Sequence, residues 1–279
     1  MPARARSSAR DTGRAPLRAR RSSPRSRSPA PLPARAAPSS SRSGQHTRVS
    51  AYDRIARLYD PWSVSVVEDV EFYVAEAVRS GGPVLELGVG TGRIAVPIAQ
   101  AGIRIVGVDS SEGMLAVARE QAARAGVELD LRYGDLRDPP VDEEFALAVI
   151  PFRTLLHMQT DADRRTALAA VHSRLREGGR FVFDVFTPGA DDIAETHGRW
   201  LEREPGIFER ADWDEDARTL TLRVSGDGAE AELSLAWLPV EQWEALLAET
   251  GFVVEGIYGW FDRAPYAGHE DSIWVCRAV

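Results

Sequence analysis

Three glycines and three acids carry the chemistry open to this sequence. Glu86 interrupts the apolar run Val84 to Leu87; Gly88, Gly90 and Gly92 follow at alternate positions, and Ile94, Val96, Ile98 and Ala99 then set up a helix ahead of Gly102. Glycines so spaced admit torsions closed to other residues and leave no side chain between a ligand and the peptide. The first N–H groups of the helix lie unpaired over the turn. Strand, crook and helix start together make a loop for a nucleotide-bearing cofactor. Asp109 ends a second apolar run beginning at Arg104, and Gly134-Asp135 closes a third, Leu129 to Tyr133. Local capping is the alternative role for Glu86 and Asp109.

Groups able to move a proton are fewer. His157 lies just past a fourth apolar run, Phe145 to Pro151, and His269 lies in the loop Arg263 to Asp271. Each is a candidate general base, with packing or helix-start roles as the alternative. Tyr59, in AYDRIARLYDPW, is a further catalytic candidate, with ordinary helix packing as the alternative. No metal is expected: the histidines at 46, 157, 172, 197 and 269 lack paired ligand spacing, Asp191-Asp192 reads as a solvated turn, and Cys276 is the single cysteine. With no Lys in the chain, Schiff-base and lysine-dependent phosphate chemistry are excluded.

The elements that must position these groups alternate. Val67, Val70, Val74 and Ala77 predict a helix buried on that face and ended by Ser80-Gly81-Gly82-Pro83. Ser110 or Ser111 caps a helix carrying Met114, Leu115 and Ala118 up to Gly126. Thr160, with Asp163 three residues on, starts a helix through Leu168, Val171 and Leu175 that Gly178-Gly179 stops, and Phe181 to Phe186 is a fifth strand. Five strands alternating with helices predict an α/β fold, a three-layer doubly wound (Rossmann-like) parallel sheet. After Thr187 the segments Ile207 to Trp213, Thr219 to Val224 and Glu232 to Trp237 alternate apolar and polar, with a turn at Gly226-Asp227-Gly228. They predict a small antiparallel β-sheet inserted at 188–238, with one wet face. Pro239 to Thr250 reads as a helix, and Phe252 to Trp260 and Ser272 to Arg277 as the last strands.

Charge is unevenly placed. Residues 1–50 hold 12 of the 34 basic residues and one of the 42 acids, Asp11. Residues 1–47, rich in Arg, Ser and Pro without apolar periodicity, form a disordered tail by composition, either resembling a transit peptide or serving as a dispensable extension. The domain 48–279 is strongly acidic, which argues against nucleic acid as its partner. No apolar run is long enough to span a membrane, and a cytoplasmic protein is expected.

Two families share a glycine crook followed by an acid-tipped strand. Gly90-x-Gly92-x-x-Ala95 with Asp109 fits the dinucleotide fingerprint of NAD(P)-dependent oxidoreductases. The larger order of motifs (Glu86-x-Gly88-x-Gly90-x-Gly92, Asp109, Gly134-Asp135 and the closing helix and hairpin) resembles the class I S-adenosylmethionine-dependent methyltransferases over about residues 50 to 279. Phe145 to Met158 followed by GGRFVFDVFTP resembles their small-molecule branch. The resemblance implies a mostly parallel seven-stranded sheet with the last strand antiparallel, and S-adenosyl-L-methionine as cofactor. It also implies that Glu86 and the backbone of Gly88, Gly90 and Gly92 face the methionine moiety and that Asp109 accepts both ribose hydroxyls. Ser110 and Met114 would flank the adenine, Asp135 accept from its amino group, and the Leu136 N–H donate to its ring. Pro151 and Phe152 would line the methyl channel, and Tyr52 and Tyr59 belong to an amino-terminal lid. The expected activity is in-line methyl transfer to an O or N nucleophile of a small molecule, with homodimer formation open. A non-catalytic cofactor-binding scaffold is the remaining alternative. Trp200, Trp213, Trp237, Trp260, Phe261 and Tyr266 divide between acceptor-pocket wall and core. A magnesium-dependent catechol branch would need more acids near strands four and five than Asp184 alone.

Overall fold

The computed structural model describes residues 50–63, 67–268 and 270–279. The expected tail at 1–47 and the candidate His269 lie outside the described residues. In chain order the elements are α1 (Ala56–Trp62), α2 (Glu68–Ser80), β1 (Val84–Leu87), α3 (Ala95–Gln100), β2 (Ile105–Asp109), α4 (Glu112–Ala125), β3 (Asp130–Tyr133), β4 (Phe145–Ile150), α5 (Asp161–Arg174) and β5 (Leu175–Phe186). After them come α6 (Ala190–Thr196), β6 (Trp200–Glu204), β7 (Ile207–Asp214), β8 (Thr219–Gly226), β9 (Ala229–Ala236), α7 (Val240–Glu249), β10 (Phe252–Tyr258) and β11 (Asp271–Ala278).

One sheet runs β10-β11-β5-β4-β1-β2-β3. Strands β1 to β5 pair in parallel, and β11 is antiparallel to both β5 and β10. The seven-stranded expectation holds. Strand β1 has β2 on one side and β4 on the other, so strand order reverses there, and the carboxyl ends of strands at such a switch point are where sheets of this kind bind ligands. The crook after β1 and the turn after β4 both face that switch point. Strands β1 and β4 are buried along their whole length, as central parallel strands covered on both faces must be.

Two expectations near the sheet are corrected. Ala77 is buried and Val70 and Val74 pack half-buried on the core as expected, but Val67 precedes the helix and is 62% exposed, and the deepest positions of α2 are Asp69, Phe72, Tyr73 and Glu76. Two acids sit on the covered face because arginines meet them: Arg93 on Asp69, and Arg180 and Arg263 on Glu76. Helix α5 ends at Arg174, and Leu175 already pairs with Phe145; Gly178 and Gly179 sit in a bulge of β5 before Arg180 pairs with Leu147. The Thr160 hydroxyl caps α5 by accepting from Asp163 N at 3.1 Å, as the spacing implied.

The inserted region forms a second sheet, β6-β7-β8-β9. It has four strands rather than three, since the charged stretch WLERE adds β6, and α6 precedes it. The 227–228 turn closes a two-residue hairpin in which Asp227 and Gly228 both have positive φ (47° and 75°), the geometry this tight turn requires. One face is wet, with Phe208 and Trp200 each 41% exposed, and the other is buried. Ile207, Val224 and Ala231 on the buried face pack against Ile55 and Leu58 of the amino-terminal segment, and Ala211, Leu220 and Leu235 join the main core. Among the aromatics, Trp213 and Trp237 belong to that core, and Trp260 and Phe261 pack toward Phe72 and Tyr73. Trp200 lies on the wet face. No helix among the described residues is long and apolar enough to cross a membrane, and no group of His, Cys, Asp or Glu among them could hold a metal ion.

Candidate active site

The three crook glycines are needed for different reasons. All have positive φ (75°, 55° and 84°). A Cβ on Gly88 would stand 2.5 Å from Thr154 Cγ2, so Gly88 makes room for a neighbouring side chain, whereas one on Gly92 would sit in ordinary contact with Ala118 and Val96 at 3.4–3.5 Å, and there the left-handed φ is what calls for glycine. At Gly90 nothing lies nearer than 3.9 Å, and its absent side chain opens on free space. The amides of Gly88 and Val89 both donate to Val108 O, at 2.8 and 3.0 Å, which stitches the crook to β2.

Two acids flank the crook, Glu86 buried and Asp109 half-buried. Glu86 is 2% exposed, and its Oε2 has no hydrogen-bond partner. Burial drives its carboxyl well above the ordinary range, against the pull of the nearby Arg93 charge. Such an orphaned carboxyl is costly unless a cation or a donor arrives. Asp109 accepts from Gly90 N on one oxygen and Ser111 N on the other, both at 2.8 Å. Burial raises its carboxyl too, outweighing those amide bonds. Each oxygen keeps a second lone pair for a ligand hydroxyl. Arg93 is the one cation of the crook, and it forms a bidentate pair with the fully buried Asp69 at 2.6–2.7 Å. A cation so neutralised is poorly suited to a pyrophosphate, whereas an unpaired buried acid suits a cationic ligand. The residues therefore fit an adenosyl sulfonium better than a dinucleotide.

The amino-terminal segment covers the crook. Asp53, in a 3₁₀ turn at Ala51–Arg54, accepts from Ser111 Oγ at 2.7 Å and Gly113 N at 2.9 Å, docking on the first turn of α4. Asp60 in α1 accepts from Thr91 Oγ1 at 2.6 Å and Gln121 Nε2 at 3.1 Å. Between these anchors, Tyr52 and Tyr59 meet edge to face at 5.9 Å, and both pack on the small cluster of Ala56, Met114 and Val117. Residue-type reasoning singled out the two tyrosines and missed the two acids. The repeat Tyr52-Asp53, Tyr59-Asp60, seven residues apart, was the available signal.

Past β4, Pro151 is buried, and Phe152 and Arg153 take left-handed φ of 54° and 65°. The Phe152 ring faces Tyr59 at 6.3 Å and lies under the Arg93 guanidinium at 4.8 Å. The 3₁₀ turn Thr154–His157 then brings His157 Nε2 to 2.9 Å from the Tyr52 hydroxyl. Burial pushes the imidazole down to about 4, although the Ser234 backbone pulls the other way, so the ring is neutral at pH 7. Burial also drives the Tyr52 and Tyr59 phenols up, so both stay protonated. The structure thus brings His157 and Tyr52 together, with Tyr59 one ring away.

The residues expected around an adenine are more scattered. Ser110 is exposed. Asp135 is paired with Arg137 through both carboxylate oxygens, at 3.0 and 2.6 Å, and that pairing holds it below its usual range. Leu136 packs on the main core.

Known proteins resemble this chain in sequence and fold. The family described as a methyltransferase domain matches residues 84–179. An uncharacterized methyltransferase of Geobacillus kaustophilus is 30% identical over 230 residues, 82% of this chain and 92% of that protein. The cypemycin N-terminal methyltransferase of a Streptomyces species is 23% identical over 82% of this chain and 94% of its own. The solved structure of the CcbJ methyltransferase from Streptomyces caelestis superposes with a TM-score of 0.73 at 24% identity, covering 83% of this chain and 98% of that one. The acid-tipped strands, the antiparallel β11 and a relative alike over nearly its whole length converge: the chain belongs to the class I S-adenosylmethionine-dependent methyltransferases, with S-adenosylmethionine as its cofactor.

Proposed function

We propose that this enzyme methylates an O or N nucleophile of a small molecule, and that Tyr52 and His157 hold that nucleophile. The hydrogen-bonded Tyr52–His157 pair, one ring from the crook, carries this reading. When bound, S-adenosylmethionine supplies a methyl group on a sulfonium, open to in-line displacement. The chain's own part is then alignment, the dominant source of rate for a reaction with a neutral leaving group. Glu86 and the Gly88–Gly90 backbone hold the methionine end, and Asp109 takes the ribose hydroxyls. Ser110, Met114, Asp135 and Leu136 border the adenine; for Asp135 this requires Arg137 to share the carboxylate. Tyr59 and Phe152 close the crevice against water.

His157 Nε2 accepts a hydrogen bond from the acceptor's O–H or N–H, or from Tyr52 O–H in its absence. Its depressed basicity favours orienting a lone pair over capturing a proton outright. An acceptor that reaches the site as a neutral amine or hydroxyl fits this better than an ammonium. The names of the cypemycin N-terminal methyltransferase and of the sugar N-methyltransferase KedS8, a structural neighbour at 18% identity and a TM-score of 0.58, agree with a nitrogen acceptor. The acidic domain supports an enzyme without a nucleic-acid partner.

The test is methyl transfer from labelled cofactor to a panel of small amines and alcohols, paired with calorimetry using S-adenosylhomocysteine. His157→Asn is expected to keep that affinity within about threefold and to lower turnover about 100-fold, the loss that misplacing a reacting atom brings. Equal turnover in the variant would remove His157 from the reaction.

A further inference from the structure

Asp184 lies on β5, beside β4, and is 7% exposed. Its carboxylate receives three donors: the Tyr73 hydroxyl at 2.6 Å and Phe152 N at 2.8 Å on Oδ1, and Arg153 N at 3.0 Å on Oδ2. Phe152 and Arg153 are consecutive non-glycine residues with left-handed φ. Such a pair persists only where its surroundings over-determine it. Here the surroundings are largely one carboxylate, whose two oxygens serve two adjacent amides. Asparagine could not replace it, because its single oxygen leaves an NH₂ group facing an N–H.

The turn held in this way carries the side chains that meet at the crevice. Phe152 faces Tyr59, Thr154 fills the space that Gly88 leaves, and Arg153 pairs with Asp271 at 2.8 Å. Tyr73 approaches from α2, the helix whose Asp69 holds Arg93 over the Phe152 ring, so one helix supports the turn at two points. We propose that Asp184 is a positioning residue of the transferase site: it fixes the left-handed turn at Phe152–Arg153, and through that turn it sets the Phe152 ring against Tyr59 and Thr154 against Gly88. What the turn serves rests on the methyl-transfer reading; its dependence on Asp184 does not.

Hydrogen exchange on the full chain, read by mass spectrometry and paired with calorimetry using S-adenosylhomocysteine, tests this. Asp184→Asn is expected to speed exchange in the peptide spanning 151–155 about tenfold or more, roughly the worth of one charge-assisted hydrogen bond. Peptides from 145–150 and 181–186 are expected to exchange as in the wild type. Affinity is expected to fall about tenfold, in line with a small displacement of binding groups. Arg153→Gly added to Asp184→Asn is expected to return most of that affinity and Arg153→Ala is not, since both delete the guanidinium but only glycine takes a left-handed φ freely. Unchanged exchange at 151–155, exchange rising equally along β4 and β5, or equal affinities of the two double variants would each overturn the proposal. Failure of the wild type to bind S-adenosylhomocysteine would overturn the cofactor assignments instead, and the exchange comparison would still decide on Asp184.

Discussion

Replacing Asp109 by alanine separates a ligand-holding carboxylate from a merely structural one. Each Asp109 oxygen has one lone pair committed to a backbone amide, of Gly90 or Ser111, and one remaining. Two ribose hydroxyls donating to the remaining pair form two hydrogen bonds to a charged acceptor, about 1.5–3 kcal/mol each. Their loss would weaken S-adenosylhomocysteine binding by roughly 3 kcal/mol or more, a factor of about 100 to 10,000 in Kd. The folded protein without ligand responds differently. The alanine orphans two amides, which destabilises, but it also removes a half-buried carboxylate whose ionised form desolvation already disfavours. These effects oppose each other, so the melting temperature is expected to move by only a few degrees. Titration calorimetry on wild type and variant, with melting followed by circular dichroism, reads both quantities. An affinity within about threefold of wild type would refute the ribose role and the reasoning that places the ligand at the end of β2. A collapse in melting temperature with unchanged affinity for the surviving folded protein would mark Asp109 as a strand-end cap.

Two further outcomes follow from geometry and charge. Gly90→Ala meets no atom closer than 3.9 Å, so it should cost only about 1–2 kcal/mol of stability from its positive φ, yet lose cofactor-product affinity if that space seats the ligand. Gly88→Ala strikes Thr154 at 2.5 Å and should destabilise more; equal melting temperatures for the two variants would contradict the assignment. His157 supplies a pH dependence: its folded value of about 4 lies below the 6.5 of the unfolded chain, so the unfolded chain binds more protons between them. Its part in stability is therefore intact above pH 6.5 and is lost as pH falls toward 4, amounting to about 3 kcal/mol. Denaturant titrations of wild type and His157→Asn across that window should converge at low pH, and parallel curves would show that the imidazole is not buried neutral.

Much of this was legible in the chain because the central strands are short apolar runs ended by glycine or acid. Val84 to Leu87, Phe145 to Ile150 and the 227–228 hairpin needed no tertiary information. The face of α2 did, since apolar periodicity assumes that acids avoid the core, and Asp69 and Glu76 enter it with arginines from distant segments. The same blindness hid Asp184, which looked like a solitary acid on a strand until the fold set two strained amides and a phenol around it. Strand β6 was missed because WLERE is charged and lies at a sheet edge, where one side of the strand needs no apolar partner. Asp135 shows the converse: its position after β3 was readable, but its pairing with Arg137 depends on how the following turn folds back.

Four acids near the crook, three buried and Asp109 half-buried, form a series that explains why a cationic cofactor suits this fold. Asp69 is met by Arg93, Asp184 by two amides and a hydroxyl, and Asp109 by two amides with lone pairs to spare. Glu86 alone among these four keeps an oxygen with no partner, and it sits at the base of the crook, where Gly90 opens on space. A dinucleotide would bring two negative phosphates toward these carboxylates and find the one nearby guanidinium already paired. An aminoacyl sulfonium brings an ammonium and a positive sulfur, and it leaves hydroxyls for Asp109. The preference for S-adenosylmethionine therefore lies less in the glycine spacing, which both cofactor families share, than in which buried carboxyl the protein leaves without a partner, ready to ionise against a cation.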